Sequence, residues 1–277
     1  MPPPFVADTG RGPPVLLLHG QPGLGRDWDA VASCLDGYRL LIPDRPGYGR
    51  SEGPATTLEQ SAEIFADVVS EHDAAPAVVA GHSYGGAIAI LLAARHPELV
   101  SGLVLVASVG RADSINALDR VLAMPVVGPA FSAAGLFTLG HVLPRLRQVA
   151  GARAHTTTAW LRASLPDGEY AALSPHVSQH VWRSFVAEQR TLLREIGSVE
   201  SALGAVHVPT VVVAGGWDFV IPPSVSASIA ATVEDAELLT VAGVGHFVLR
   251  DAPHVVADAV RSVERCAAER PPRPVSD

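Results

Sequence analysis

Short apolar runs alternate with helix-like stretches along most of the chain. The runs are rich in Val, Leu and Ile, as in buried strands, and the stretches between them carry apolar residues at helical spacing. Such alternation is typical of an α/β fold, a mostly parallel central sheet flanked by helices, here with seven or eight strands. The predicted central strands are Val15 to Leu18, Arg39 to Ile42, Ala77 to Ala80, Leu103 to Ala107, Thr210 to Ala214 and Glu237 to Val241. The predicted helices are Trp28 to Leu35, Leu58 to His72, Gly86 to Arg95, Ser224 to Ala231 and Pro253 to Ala267.

The alternation stops after the fourth predicted strand and resumes about a hundred residues later. Between them the sequence carries only helical patterns punctuated by Pro and Gly, which predicts an inserted helical cap over residues 110–205. Residues 1–109 and 206–268 are then the core, and the proline-rich residues 269–277 are expected to be a disordered tail. With 277 residues and 48% apolar content, the chain is long enough for one large core of this kind.

One turn in the chain has the features of a nucleophile. Ser83 is the centre of Gly81-His82-Ser83-Tyr84-Gly85, directly after one predicted strand and directly before a predicted helix. A strand that turns into a helix within a few residues strains the central residue, and small neighbours make room for it. The helix start also aims backbone N–H groups and the positive end of its dipole at this point. The spacing therefore predicts a nucleophilic serine.

A nucleophilic serine needs a base within hydrogen-bond reach and a third group that fixes the tautomer of that base. Both candidates follow later predicted strands, at the carboxyl edge of the sheet where ligands bind. Asp218 follows the strand that ends in Gly215-Gly216, and His246 lies in a loop with flanking glycines. The sequence therefore predicts a triad of Ser83, His246 and Asp218, with His82 pointing into the fold beside the turn.

An anion site is predicted next to the serine. His19-Gly20-Gln21-Pro22-Gly23 directly follows the first core strand, which places the N–H of Gln21 where it could hold an oxyanion together with the N–H of Tyr84. A dinucleotide site is the other interpretation of this loop. Its glycines are in the wrong order for G-x-G-x-x-G, and Pro22 removes an N–H that a phosphate would need, so the oxyanion interpretation is favoured.

Together these residues resemble the α/β-hydrolase fold family, over a match that runs from Val15 to about Arg265. The resemblance implies an eight-stranded, mostly parallel sheet, and from the short N-terminus we expect its first strand to be missing or reduced. It also implies that Asp44, in the loop after the second predicted strand, holds a turn and does no chemistry. In some members the acid follows an earlier strand, so Asp113 stays open as an alternative to Asp218.

The histidine-glycine loop and the turn that begins at Asp44 are similar to those of one branch of the family. That branch contains epoxide hydrolases, haloalkane dehalogenases, carbon–carbon bond hydrolases and proline iminopeptidases. The resemblance implies an aspartate nucleophile for the first two, and Ser83 at that position counts against both.

The composition removes several other classes of function. A net charge of −8 without concentrated basic surface argues against a nucleic-acid partner. All 20 basic residues are arginines, and the absence of lysine excludes a pyridoxal Schiff base, a phosphate-loop lysine and S-x-x-K chemistry. Cys34 and Cys266 form no short-spaced motif, and His176 and His180 lack the Glu of an H-E-x-x-H pattern. We therefore predict neither a metal nor an organic cofactor.

Two segments of the sequence indicate the cellular location of the protein. The stretch from Met1 to Phe5 has no signal-peptide pattern, which predicts a cytoplasmic protein. The stretch from Val121 to Pro144 carries no formal charge and is long enough to cross a bilayer, but prolines and glycines break it into short pieces. We predict no membrane span, and an apolar lid over a binding cavity instead.

The cap residues indicate the type of substrate. Phe131, Leu136 and Phe137 are predicted to contact an apolar acyl or aromatic group of a small-molecule substrate. This favours a serine hydrolase that acts on a carboxylic ester. A carbon–carbon bond hydrolase of a β-diketone-like substrate would use the same triad, and a non-catalytic ligand-binding protein could share the scaffold, so both remain alternatives.

An aminopeptidase is a further alternative, because acidic residues in the cap could bind the ammonium group of a peptide substrate. The candidates for that pocket are Asp167, Glu188 and Glu195. The chain is expected to act as a monomer or a homodimer.

Overall fold

The computed structural model describes residues 2–137 and 175–269. These residues form a seven-stranded sheet with the strand order β1-β3-β2-β4-β5-β6-β7. Neighbouring strands pair in parallel, except that β1 is antiparallel to β3. The mostly parallel α/β fold predicted from the sequence is therefore confirmed. The strands are β1 Val6–Gly10, β2 Pro14–Leu18, β3 Arg39–Pro43, β4 Ala77–His82, β5 Val100–Val106, β6 Thr210–Gly215 and β7 Glu237–Val241.

Helices connect these strands and cover both faces of the sheet. The α-helices among the described residues are α1 Asp29–Ala32, α2 Leu58–Glu71, α3 Tyr84–Arg95, α4 Ala117–Ala123, α5 Val127–Phe137, α6 Pro175–Ala202, α7 Pro223–Thr232, α8 Val248–Asp251 and α9 Pro253–Glu269. Short 3₁₀ turns span Gly25–Trp28, Ala112–Ser114 and Leu203–Ala205.

The core has two layers because successive strand residues point to opposite faces of the sheet. Leu16 and Leu18 of β2 pack into one layer with residues of α2, α3, α6 and α7. Val15 and Leu17 of the same strand pack into the other layer with residues of α1, α8 and α9. Burial on both faces explains why the central strands read as continuous apolar runs rather than as an alternating pattern.

The structure differs from the sequence-based expectation at two elements. The strand Glu237–Val241 was expected to be central, but β7 lies at the edge of the sheet and is half exposed. The helix expected over Trp28 to Leu35 is a 3₁₀ turn followed by the single α-helical turn α1. The amide N–H of Cys34 and that of Leu35 then donate to the carbonyls three residues back, which is 3₁₀ rather than α geometry.

The segment between β5 and β6 contributes α4, α5 and α6 to the described part of the chain. The last of these packs Leu192, Ile196 and Val199 into the layer that contains α2 and α3. Residues 138–174 lie outside the described residues, so the extent of the cap stays a prediction. Among the helices that are described, none is both long and apolar enough to cross a membrane.

Helix α9 runs two residues beyond its predicted end, to Glu269. The remainder of the predicted tail, residues 270–277, lies outside the described residues.

Candidate active site

Ser83 occupies the sharp turn between β4 and α3. Its backbone has φ 51° and ψ −118°, a strained conformation for a residue with a side chain. The glycines on either side are required by close packing. A Cβ atom on Gly85 would lie 2.3 Å from the backbone oxygen of Leu18, and one on Gly81 would lie 2.4 Å from the backbone oxygen of Gly85. This is the backbone of a nucleophile elbow.

Backbone hydrogen bonds hold the turn in place. The N–H of Ser83 donates to the carbonyl of Val106 at the end of β5 (3.0 Å). Its own carbonyl accepts from Gly86 (3.0 Å) and Val109 (3.1 Å). A strained backbone of this kind costs of the order of 1–3 kcal/mol. The three hydrogen bonds hold Ser83 in this conformation despite that cost.

Asp218 and His246 are joined directly. His246 Nδ1 donates to Asp218 Oδ2 over 2.8 Å, and both side chains are buried. The other carboxylate oxygen accepts from the backbone N–H groups of Val220 (2.8 Å) and Ile221 (2.9 Å). Because a carboxylate can only accept, Nδ1 carries the hydrogen, and the Nε2 lone pair of a neutral His246 is left to act as a base.

Ser83 Oγ and the imidazole of His246 share no hydrogen bond among the described residues. The two segments nevertheless meet, because the ring of His82, beside the serine, lies 4.9 Å from the ring of His246. Catalytic hydrogen bonds are often long or poorly aligned before substrate binds.

Asp113 is not placed to serve as the acid. It lies in the 3₁₀ turn Ala112–Ser114, its side chain is 53% exposed, and it pairs with Arg111 at 3.6 Å. The Nδ1 hydrogen of His246 is already bound by Asp218. The geometry therefore favours Asp218 over the alternative that the sequence left open.

His82 supports the loop that carries His246. Its Nε2 donates to the backbone oxygen of His246 over 3.0 Å, and its side chain is buried as expected. Burial, reinforced by the neighbouring imidazole of His246, lowers the pKa of His82 to about 3. The ring is therefore neutral at physiological pH, and its hydrogen bond connects the His246 segment to the residue before Ser83.

This pKa shift predicts how stability depends on pH. In the unfolded chain His82 takes up a proton near its ordinary pKa of 6.5, whereas in the folded chain it does so only near 3. The contribution of His82 to stability is therefore complete above pH 6.5 and is lost as the pH falls towards 3, by about 1.4 kcal/mol per pH unit.

Urea unfolding at several pH values between 7.5 and 4 measures this slope. The variant His82→Gln lacks the titrating group, so its free energy of unfolding should fall less steeply with decreasing pH than that of the wild type. Equal slopes for the two proteins would show that the His82 ring is not buried in its neutral form.

The loop after β2 lies against the nucleophile turn. A Cβ atom on Gly20 would be 3.1 Å from Ser83 Cβ and 2.9 Å from His82 Nδ1, so only glycine allows this approach. Among the described residues, no acceptor takes the N–H of Gln21 or that of Tyr84. The two predicted oxyanion donors are thus free to bind an incoming anion.

The acidic residues proposed for a substrate ammonium already have partners. Glu188 of α6 is buried and forms an ion pair with Arg45, and it accepts from Tyr48 Oη (2.6 Å). Glu195 accepts from the N–H of Leu58 (2.9 Å) at the start of α2. Asp167 lies outside the described residues. Glu188 is therefore not free to bind an ammonium group, and one carboxylate oxygen of Glu195 is already taken by the start of α2.

The predicted substrate-binding residues of the cap are only partly described. Phe131 on α5 has its side chain 55% exposed. Leu136 and Phe137 end the same helix, but their side chains are not among the described ones. A signal that the sequence analysis did not use lies in the loop after β6, where Trp217 and Phe219, on either side of Asp218, are largely exposed. Together they give the carboxyl edge of the sheet an aromatic border.

The described residues contain no group of three or more His, Cys, Asp or Glu side chains that could hold a metal ion. The side chains of His176 and His180 are not among the described ones. Asp44 has the structural role expected of it, since its carboxylate accepts from the N–H of Gly25 (2.9 Å) and from that of Arg50 (2.9 Å).

A family model described as the alpha/beta hydrolase fold matches residues 13–253. The chain belongs to the α/β-hydrolase fold family. The seven-stranded, mostly parallel sheet agrees with the α/β-hydrolase resemblance. That the first strand of the eight-stranded form is missing or reduced stays a prediction.

Named relatives of this α/β hydrolase have different activities. It is 28% identical over 250 residues to 2-hydroxymuconate semialdehyde hydrolase of Pseudomonas sp. (strain CF600), covering 87% of this chain and 82% of that protein. It is 26% identical over 266 residues to haloalkane dehalogenase 2 of Mycobacterium tuberculosis, covering 91% and 88%. The solved structure of a thermophilic esterase from Thermogutta terrifontis has a TM-score of 0.69 and 23% identity, covering 95% of this chain and 93% of that one.

Proposed function

We propose that this α/β hydrolase is a serine hydrolase that cleaves a small, largely apolar carboxylic ester through an acyl-enzyme. The observation that carries the proposal is the hydrogen bond between His246 and Asp218 at the carboxyl edge that also holds the strained Ser83 turn. A serine, an oriented imidazole and two free N–H donors are the parts that acyl transfer needs.

In the acylation half-reaction, Ser83 Oγ attacks the ester carbonyl carbon and His246 Nε2 takes the hydroxyl proton. The carbonyl oxygen becomes an anion, which the N–H groups of Gln21 and Tyr84 bind. Asp218 stabilises the imidazolium that forms. When the carbon–oxygen bond to the alcohol breaks, His246 gives its proton to the leaving alkoxide, and the acyl group stays on Ser83.

Deacylation runs the same steps with water as the nucleophile. His246 removes a proton from water, and the resulting hydroxide attacks the acyl carbon. The same two N–H groups bind the second oxyanion. The intermediate collapses as Ser83 recovers its proton from His246 and the carboxylic acid leaves. These steps require no metal and no organic cofactor.

The surroundings of the site support an apolar ester. Trp217, Phe219 and Val220 are exposed in the loop that carries Asp218. Exposed apolar side chains also occur on α4 and α5, for example Leu118 and Phe131. Exposed apolar surface around a polar centre is what a site for an acyl chain presents.

The structure gives less support to the other activities of this branch. Glu188 is engaged within the protein and one oxygen of Glu195 is taken, so an aminopeptidase pocket for an ammonium group has less support from its described candidates. The resemblance implies an aspartate nucleophile for haloalkane dehalogenases, and here position 83 is serine. The relative named 2-hydroxymuconate semialdehyde hydrolase keeps carbon–carbon bond hydrolysis as the second candidate.

A rate panel tests the proposed substrate class. The panel contains p-nitrophenyl esters of increasing acyl length, the matched anilides, and a vinylogous diketone for carbon–carbon cleavage. If the acyl chain is buried, kcat/KM should rise by about fourfold per methylene, which corresponds to about 0.8 kcal/mol, until the cavity is full. A kcat/KM for the diketone above that for every ester would replace the ester assignment with carbon–carbon bond hydrolysis.

A fluorophosphonate probe separates an enzyme from a ligand-binding protein on the same scaffold. An activated serine reacts with the probe, and mass spectrometry of the digested protein should locate the adduct on Ser83. Prior treatment with the best ester of the panel should slow the labelling. If Ser83 stays unlabelled under conditions in which a known serine esterase reacts completely, the non-catalytic alternative holds.

A further inference from the structure

A buried arginine holds the loop that carries one of the oxyanion donors. Arg45 is 1% exposed and lies at the end of β3, beside the loop after β2. Its Nε donates to the carbonyl of His19 (2.9 Å) and its Nη2 donates to the carbonyl of Gly20 (2.8 Å). Its backbone N–H donates to Nε2 of the His19 ring (2.9 Å). One residue therefore fixes the two peptide groups that precede Gln21.

The carbonyl of Gly20 belongs to the same peptide unit as the N–H of Gln21. A peptide unit is planar, and in the trans form its C=O and N–H point in opposite directions, so a group that fixes the oxygen also aims the hydrogen. Gly20 O accepts from Arg45 and also from His19 Nδ1 (2.8 Å). Donors on the oxygen also polarise the unit and make the N–H a stronger donor.

Arg45 is in turn held by a residue of the segment between β5 and β6. Glu188 on α6, 143 residues further along the chain, binds Nη1 and Nη2 of Arg45. Tyr48 donates its hydroxyl to the same carboxylate (2.6 Å). Burial is the largest single influence and lowers the pKa of Arg45, but the charge and hydrogen bonds of Glu188, together with the neighbouring Tyr48 and Tyr84, outweigh it and keep that pKa above its ordinary value. The guanidinium is therefore charged.

The side chain of Tyr84, the residue that supplies the second predicted donor, is in contact with the same guanidinium. The ring of Tyr84 lies 4.9 Å from the central carbon of the Arg45 guanidinium, and the ring of Tyr48 lies at the same distance. Arg45 thus contacts the peptide group that carries the Gln21 N–H, through the carbonyl of Gly20, and the side chain of Tyr84, whose N–H is the other predicted donor.

We propose that Arg45 is a positioning residue that orients the N–H of Gln21 towards the oxyanion. Through Glu188, this orientation depends on the position of the cap helix α6. The inference rests on the proposed function. Its energetic basis is that a donor stabilises the oxyanion fully only when it is held at the point where charge develops. Arg45 therefore acts on the transition state more than on substrate binding.

The variant Arg45→Lys tests this inference. Lysine keeps the charge that Glu188 needs, but a single ammonium group cannot match the planar fork that serves His19, Gly20 and Glu188 together. Loss of one oxyanion donor costs about 10²–10³ in kcat, and a misaimed donor should cost about 10–10², with KM changed by less than about threefold. A boronic acid that forms a tetrahedral adduct on Ser83 should lose affinity by the same factor as kcat.

A second variant removes the pair without leaving an unpaired buried charge. In Arg45→Met with Glu188→Met, apolar side chains of similar length replace both ions, a change that folded proteins often tolerate. We expect a decrease in kcat at least as large as in Arg45→Lys. The matched control is Ser184→Ala, which removes another bond from α6, to the carbonyl of Gly47 (2.7 Å), without touching the oxyanion loop. Its kcat should be that of the wild type.

The outcomes separate this inference from the proposed function. If the wild type hydrolyses esters through Ser83 and both Arg45 variants fold with wild-type kcat and boronate affinity, the inference is wrong and the proposed function stands. If the wild type shows no Ser83-dependent turnover, the proposed function fails and the inference falls with it. If neither Arg45 variant folds, as judged by circular dichroism, Arg45 is needed for folding and the positioning role is overturned.

Discussion

Replacing Ser83 with alanine is expected to lower kcat for ester hydrolysis by about 10⁶-fold, with little change in stability. The loss follows because no other group is placed to form the acyl-enzyme at this turn, and the oxyanion donors alone provide only a small residual rate. Alanine keeps the Cβ atom and the backbone conformation at φ 51°, so the turn should persist. Steady-state kinetics with the best ester of the panel measure the effect.

A neighbouring buried serine provides the matched control. Ser108 lies just after β5, and its hydroxyl donates to the carbonyl of Val109 (2.8 Å). Ser108→Ala should therefore affect stability more than turnover and should still react with the fluorophosphonate probe. If Ser83→Ala retained kcat within about tenfold of the wild type, where a missing nucleophile costs about 10⁶, the chemistry would have to run through another group.

The second large effect is expected from Asp218→Asn, which should lower kcat by about 10⁴-fold. The structure explains how so small a change acts. Oδ1 of Asp218 accepts from the N–H groups of Val220 and Ile221, so the amide oxygen of asparagine will take that place. The amide NH₂ then faces Nδ1 of His246 and donates to it. The imidazole is forced into the tautomer with hydrogen on Nε2 and can no longer accept the proton of Ser83.

Asp113→Asn is the matched control for this prediction, because it makes the same chemical change at the other candidate acid. Asp113 is exposed and has no contact with His246, so kcat should stay within a few-fold of the wild type. The reverse result, a large loss for Asp113→Asn and none for Asp218→Asn, would assign the acid to the loop after β5. Both variants should be compared at the same pH, since the base must be neutral to act.

The sequence predicted the fold well where local pattern decides structure. Glu237–Val241 has the bounds that the sequence predicted, and the helix expected over Leu58 to His72 ends one residue earlier than expected. An apolar run does not show which strands lie on either side of it in the sheet. The prediction that β7 is a central strand was wrong for this reason. The helix predicted from Trp28 was wrong because 3₁₀ and α turns share the same apolar spacing over so few residues.

The candidate site was predictable because its parts follow strands. Ser83 comes directly after an apolar run, Asp218 and His246 follow theirs within a few residues, and parallel strands bring their carboxyl ends to one edge. The catalytic roles stay proposals, as do the cytoplasmic location and the monomeric or homodimeric state. Glu188 could not be assigned from sequence, because its partner Arg45 is 143 residues away and a carboxylate on a helix has many potential partners. His82 was likewise expected to be buried, but not to bind the backbone of His246.

The crowding around the nucleophile turn separates positions that can vary from positions that cannot. A Cβ atom on Gly81 or Gly85 would collide with backbone atoms, whereas one on Gly197 of α6 would meet no atom within 4 Å. A side chain at Gly197 is therefore sterically simple to accept, while one at Gly81 or Gly85 would displace the start of α3 or the end of β2. A substitution at either of these two glycines would thus disturb Ser83 without replacing it.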